Sequence, residues 1–277
     1  MKRILISVVL AAICLSSFGQ KQEEKKKFQI KGQPIVTVFA NYHAGIGNAN
    51  KESGFALDRA YLGYQFSLTE KLSGKVVFDM GSTKVSGSDL ERVAYIKNAM
   101  LSWKTGNFTL DFGLIGLEQF NVQEKFWEYR YIIKSFQDEY KFGSSADMGI
   151  LGKYKFTKWL SADITISNGE GYKKLNGDNK YRYAVGATIL PVKNLTIRAY
   201  YDLASKNIEG DETKDQQNLA FFAGYKHELF SIGAEYNQMY NTKFKEDNDQ
   251  SGFSVYSTIK LEDQFNLFGR YDNLGSQ

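Results

Sequence analysis

Apolar and polar residues alternate with a period of two through most of this chain, and short turns interrupt the alternation at nearly even spacing. The turns are Leu68-Thr69-Glu70-Lys71, Thr105-Gly106-Asn107, Thr157-Lys158, Val192-Lys193-Asn194, Lys226-His227-Glu228 and Glu262-Asp263. Four of the five intervals between them are about 35 residues, room for two strands of about ten residues and one longer loop. The pattern predicts an antiparallel up-and-down meander with short turns at one end and long loops at the other. Strands of about ten residues are also long enough to cross a bilayer when tilted.

Strand by strand, the alternation separates a greasy face from a polar one. Ala60, Leu62, Tyr64, Phe66 and Leu68 oppose Arg59, Tyr61, Gly63 and Gln65; Leu72, Gly74, Val76, Phe78 and Met80 oppose Ser73, Lys75, Val77 and Asp79. Leu160, Ala162, Ile164 and Ile166 oppose Ser161, Asp163 and Thr165, and the same division recurs through 195–203, 230–236 and 253–261. In 93–103 Lys97 interrupts the series Val93, Tyr95, Ala99, Leu101, Trp103, and the faces of that segment are not assigned from sequence. A soluble sandwich also alternates. Long strands, turns that are short at one end only, and Tyr, Phe and Trp crowded toward strand ends favour a transmembrane β-barrel instead. In lipid an open sheet edge leaves backbone groups unpaired, so such a sheet closes on itself.

About thirteen strands are visible: 34–43, 55–68, 71–81, 91–103, 107–116, 145–156, 159–168, 181–190, 194–204, 217–226, 229–239, 252–261 and 264–271. Bacterial single-chain barrels have an even number, and the last strand carries no terminal aromatic at its end, so the expectation is a barrel of about 14–16 strands lacking its C-terminal part here. At the other end, Lys2 and Arg3 precede the apolar run Ile4 to Leu15, followed by Ser17 and Gly19. This reads as a signal peptide, 1–19, cleaved before Gln20, with a periplasmic segment 20–33 and the barrel over 34–277. Cys14 would leave with it, so neither disulfides nor thiol chemistry enters the mature protein. Mean hydropathy is −0.39, aromatic residues make up 15% and there are only two prolines. A soluble helical enzyme of this length would show period 3.6 and more loop prolines. A net charge of +4, two units of it in the signal peptide, argues against nucleic acid as a partner.

The second interval between turns is longer than the others by about 16 residues, and the excess lies in 117–144. A helix-compatible core runs from Gln123 to Asp138, and Phe126, Trp127, Tyr129, Tyr131, Ile132, Ile133 and Phe136 cover much of it. A loop in water would not carry so many, so it is expected to fold inward onto the wall and narrow the channel, with Lys125, Arg130, Lys134 and Lys141 at the constriction. The alternative is a surface helix held by ion pairs such as Lys134 with Asp138. The like-charged spacings Glu124/Glu128 and Arg130/Lys134 count against it.

Residues 123–131, QEKFWEYRY, with Lys134 to Asp138, Lys141 to Asp147, Ser167 to Tyr172 and Ala60 to Tyr64, resemble the phosphate-selective porin O/P family of Gram-negative outer membranes. The resemblance covers essentially the mature chain and is most specific over 123–147. It implies a sixteen-stranded outer-membrane porin, commonly a homotrimer, that passes small anions. The family's dense arginine ladder and lysine cluster are not evident here, so the resemblance speaks for a porin more than for phosphate.

The inward charges read from the alternation are Arg59, Lys75, Lys153, Arg182, Arg198, Lys260 and Arg270, opposed by Asp79, Asp111, Asp163, Asp202 and Glu235. Basic rings in a narrow lumen raise the local anion concentration while binding stays weak enough for release. The expected function is passive diffusion of small polar or anionic solutes with a weak anion preference; the alternative is a non-channel barrel in outer-membrane lipid that binds or supports. His43 and His227 lie near opposite strand ends, and no CxxC, HExxH, GxSxG or P-loop pattern occurs. No catalytic residue, metal or cofactor is assigned, and a Ca²⁺ site from Asp79, Asp163 and Glu235 is a weaker reading than solvated lumen carboxylates.

Overall fold

The computed structural model describes residues 31–44, 53–82, 92–174, 177, 179–206, 212–262 and 265–276. The expected signal peptide, most of the expected periplasmic segment 20–33 and Asp263 of the last turn lie outside the described residues. The thirteen strands are β1 (Lys31–Ala44), β2 (Ser53–Ser67), β3 (Leu72–Ser82), β4 (Arg92–Thr105), β5 (Phe108–Gly116), β6 (Ala146–Lys155) and β7 (Leu160–Ser167), then β8 (Arg182–Ile189), β9 (Leu195–Ala204), β10 (Gln216–Lys226), β11 (Phe230–Tyr240), β12 (Gln250–Glu262) and β13 (Phe265–Ser276). They form one sheet in chain order, each antiparallel to the next. β1 and β13 run in the same direction and are not paired with each other. The sequence-based strand limits hold to within two or three residues, except that β13 continues to Ser276 rather than stopping at 271.

The sheet has the polarity of a membrane barrel, the reverse of a soluble one. Phe112, Ile164, Ile232 and Leu267 stand exposed on the outer face, while Asp79, Asp202, Asn218, Asn237 and Ser254 are buried on the inner one. In water that arrangement would expose apolar surface and bury polar groups at a loss on both counts; against lipid it satisfies both faces.

The faces that sequence left open in 93–103 are settled by a β-bulge. Val77 pairs with Asn98 and Phe78 with Ile96, so Lys97 is the extra residue of β4. Ile96 before it and Leu101 and Trp103 after it point outward, whereas Lys97 makes its contacts on the inner face and Asn98 is buried there. The alternation changes phase at Lys97, which is why a strict period of two fails there. β4 pairs with β5 only from Ala99 onward, and Tyr172 of the β7–β8 loop covers the outer end of β4 by packing on Tyr95, with ring centroids 5.7 Å apart.

Candidate functional site

The long loop after β5 enters the sheet's concave side. It forms two short helices, α1 (Asn121–Trp127) and α2 (Phe136–Glu139), in place of the continuous helix expected from Gln123 to Asp138. α1 stops because Glu128 takes a left-handed conformation, φ 64°. The intervening turn is closed by Arg130, which reaches back to Glu124 and forward to Asp138, both at 2.7 Å. Asp138 is therefore not the partner of Lys134, whose ammonium lies 3.9 Å from Glu139 instead. Burial by itself lowers the affinity of the Arg130 guanidinium for its proton, but Glu124, Tyr61 and Asp138 outweigh that and hold its pKa above the ordinary value.

Aromatic side chains anchor the loop on β10–β13. Phe126 lies against Phe222 and Tyr256, at ring distances of 5.3 and 6.2 Å. Its seat is the cross-strand pair Gly224–Gly233: a Cβ would come within 2.7 Å of the Phe126 ring at the first and 3.1 Å at the second. That pair is two ladder steps from the short-turn end of the hairpin, so α1 sits deep, and Glu128 reaches Lys226 at that end. Trp127 packs on Tyr256 at 5.2 Å and Tyr129 stacks on Phe268 at 4.2 Å. Phe136 and Phe142 bury against Met239, while Gln250 donates to the Tyr140 carbonyl at 2.8 Å. Tyr131, Ile132 and Ile133 remain exposed on the opposite side, facing Phe39 and Arg59 across a cavity of about 320 Å³.

Most inward basic residues are matched with carboxylates rather than left as free rings. Arg59 lies 3.3 Å from Asp79, which also accepts a hydrogen bond from Tyr172 at 3.0 Å. Lys153 lies 3.0 Å from Asp111 and 3.4 Å from Glu118, and Arg182 lies 2.7 Å from Asp202. Arg198 holds Asp163 through two bonds of 2.7 and 3.1 Å. Arg270 grips Asp272 and donates to the Lys134 carbonyl at 2.5 Å, so it fastens the loop. Burial pushes the Glu118 carboxyl up, yet Lys153, the Asn121 amide, Arg198 and Lys125 together hold it below the usual carboxylate range. Asp79, Asp163 and Glu235 stand apart, and among the described residues no three acidic, His or Cys groups come together to hold a metal.

Lys75 and Lys125 make no ion pair among the described residues. Lys75, projecting from β3, and Lys125, on the face of α1 turned away from the Phe126 anchor, are near enough to repel, and Lys97 joins them. Lys97 donates to the Tyr61 hydroxyl at 3.1 Å and lies 4.4 Å from that ring's centroid. On the long-loop side, Arg59, Arg130, Lys134, Lys141 and Lys173 face only Asp138 and Glu170 around a cavity of about 310 Å³. Beneath α1, Lys104, Lys153, Lys155 and Arg198 face Glu118 and Asp163 around one of about 570 Å³. Lys260 lies exposed at the short-turn rim beside a bulge in β12, away from both cavities. Sequence reasoning passed over Lys97 and Glu118. The phase break at Lys97 was the available sign of the first; the second depends on a long-range approach to Lys153 that no local pattern reveals.

Consecutive antiparallel strands, an apolar outer face, a polar inner face and a loop folded inside describe a porin-type barrel. Solved structures agree at the level of the fold. Two mutants of the Rh. blastica porin each match with a TM-score of 0.53 and 10% identity, over 89% of this chain and 84% of theirs. OmpF of Salmonella typhi, in a complex with daunomycin, gives a TM-score of 0.46 and 14% identity over 88% of this chain and 89% of its own, too low to add to the argument. No family model and no curated protein matches the chain.

Proposed function

We propose that this chain is a diffusion channel in the outer membrane of a Gram-negative bacterium, exported by a cleaved signal peptide and passing small hydrophilic solutes with a weak preference for anions such as phosphate. The observation that carries the reading is the group Lys75, Lys97 and Lys125, which lie near enough to repel one another and make no ion pair among the described residues, while most other inward cations are neutralised; the reading puts the solute path where they stand, in a gap between α1 and the β2–β4 wall. The anchoring of α1 over β10–β12 supports that placement, since it holds the helix against the opposite part of the sheet. Lys141 and Lys173 on one side of it and Lys104 and Lys155 on the other, which make no ion pair among the described residues, extend the same potential along the path. Lysine suits transit: a hydrated point charge attracts an anion without the bidentate grip of a free arginine, so release stays fast. The mention of phosphate among those anions and the assembly as a homotrimer rest on the family resemblance alone, which speaks for a porin more than for phosphate.

The test is the reversal potential of single channels under a KCl gradient. The wild type is expected to be anion-biased, and Lys75→Glu with Lys97→Glu and Lys125→Glu to become cation-biased. A reversal potential unmoved by all three replacements would refute the assignment of this gap as the selective one.

A further inference from the structure

We infer that the compartment beneath α1, at the short-turn end of β5–β9, is a binding site for a small organic anion bearing one flat or branched apolar group, such as an aromatic carboxylate. The inference deepens the channel reading by naming a class of solute that pauses there.

The cavity under α1, about 570 Å³, adjoins one of about 620 Å³ at the rim, and the two share Asn107, Lys155, Ser161 and Thr188. Together they are large enough for a small organic ligand. The site lies in the middle of the sheet, four hydrogen-bonded strand pairs wide, so it does not depend on what covers β1 or β13.

Its deep end is prepared for an anion. The Arg198 side chain is only 2% exposed, and its two terminal nitrogens are occupied by Asp163, Thr188 and the Glu118 carbonyl. Of the five guanidinium donors, Nε–H is left with no partner. That nitrogen is itself enclosed, so an anion entering the cavity meets the lysines of its wall and reaches Nε–H only by displacing a neighbour. Lys104 and Lys155, on the same cavity wall, make no ion pair among the described residues.

Its rim is prepared for something apolar. Trp159 and Leu190 line the rim cavity, and the Leu190 amide donates to the Trp159 carbonyl at 2.7 Å, extending the β7–β8 ladder one step. Trp159 stands two residues before inward Ser161, and Leu190 two after inward Thr188, so both continue the wet face of the sheet. On that face neither lipid nor a neighbour covers them, and they are 52% and 44% exposed. An inorganic oxyanion would use the cations and leave this pair idle; a carboxylate on an aromatic or branched group uses both ends.

Benzoate and acetate share the carboxylate and differ in the ring, so they are the probes. Applied from the short-turn side to single wild-type channels carrying chloride current, benzoate is expected to interrupt it at a concentration about tenfold below acetate. Trp159→Ala should remove the difference, and Lys104→Gln with Lys155→Gln should weaken both anions. The Trp159 side chain makes none of the backbone bonds that hold the turn, so the variant should fold. Equal action of the two anions on the wild type, or a difference that survives Trp159→Ala, would overturn the inference. Calorimetric titration of folded protein in detergent separates the two readings: a barrel that passes no current yet binds benzoate, and loses that binding with Trp159→Ala, refutes the channel and sustains the site. A barrel that conducts and binds benzoate no better than acetate does the reverse.

Discussion

Replacing Gly224 by Val should unseat the inward loop while leaving the strands intact. The first added carbon alone would lie 2.6 Å from the Phe222 ring and 2.7 Å from the Phe126 ring, and neither ring has open space behind it, since Phe126 also abuts Tyr256. Overpacking of this kind costs about 1–3 kcal/mol. If Phe126 withdraws instead, the loop forfeits the burial of a half-covered aromatic, about 1–1.5 kcal/mol. A penalty of about 2 kcal/mol on the anchored state raises the released population about thirtyfold. The β10–β11 ladder itself loses nothing, and Val suits a strand. The readouts are single-channel current noise and quenching of Trp127 by iodide, with heat-modifiable gel mobility to show a folded barrel. Gly269→Val is the control, because a side chain at Gly269 meets nothing within 4 Å. If Gly224→Val and Gly269→Val gave the same conductance noise and the same Trp127 quenching, the glycine seat would not be what holds α1.

Other expectations follow from the same contacts. Arg130→Gln should strand Glu124 and Asp138 without their cation and loosen 128–135 by about 2–3 kcal/mol, seen as faster proteolysis of the loop in folded protein. Because the folded pKa of Glu118 is depressed, its contribution to stability is present above the unfolded carboxylate value and is lost as pH falls through the lower, folded one. Thermal melting should therefore drop as the pH is taken from about 5 toward 3, and Glu118→Gln should flatten that part of the profile. Lys97→Ala should reduce anion bias more than Lys260→Ala, since Lys97 belongs to the cluster around the gap and Lys260 lies at the rim.

The barrel strands were legible because lipid and lumen impose opposite demands on alternate residues, and the period of two is the direct record of that. Ile164 outside and Asp163 inside need no knowledge of tertiary contacts to be told apart. The inward loop was legible for a related reason: Phe126, Trp127, Tyr129 and Phe136 pack on the wall as their character demands, although Tyr131, Ile132 and Ile133 of the same loop stay exposed. What stayed hidden depends on partners distant in sequence. Arg130 looked like a pore charge, but its two carboxylates close a turn that breaks the helix. Arg182 and Arg198 looked like lumen cations, but Asp202 on the adjacent strand and Asp163 two strands away, across Gly186, neutralise them. Phase alone shows which face a charge occupies, not whether an opposite charge waits there. At Lys97 even the phase failed, because a bulge inserts one residue and moves every later side chain to the other face.

An open, weakly anion-selective path past α1 is tested most directly by single-channel recording of the folded wild-type protein in a planar bilayer. The expected result is a stable ohmic pore whose reversal potential under a KCl gradient favours chloride and whose current falls in part when phosphate is added. A barrel shown to be folded and inserted that carries no current, or that favours potassium, would contradict it.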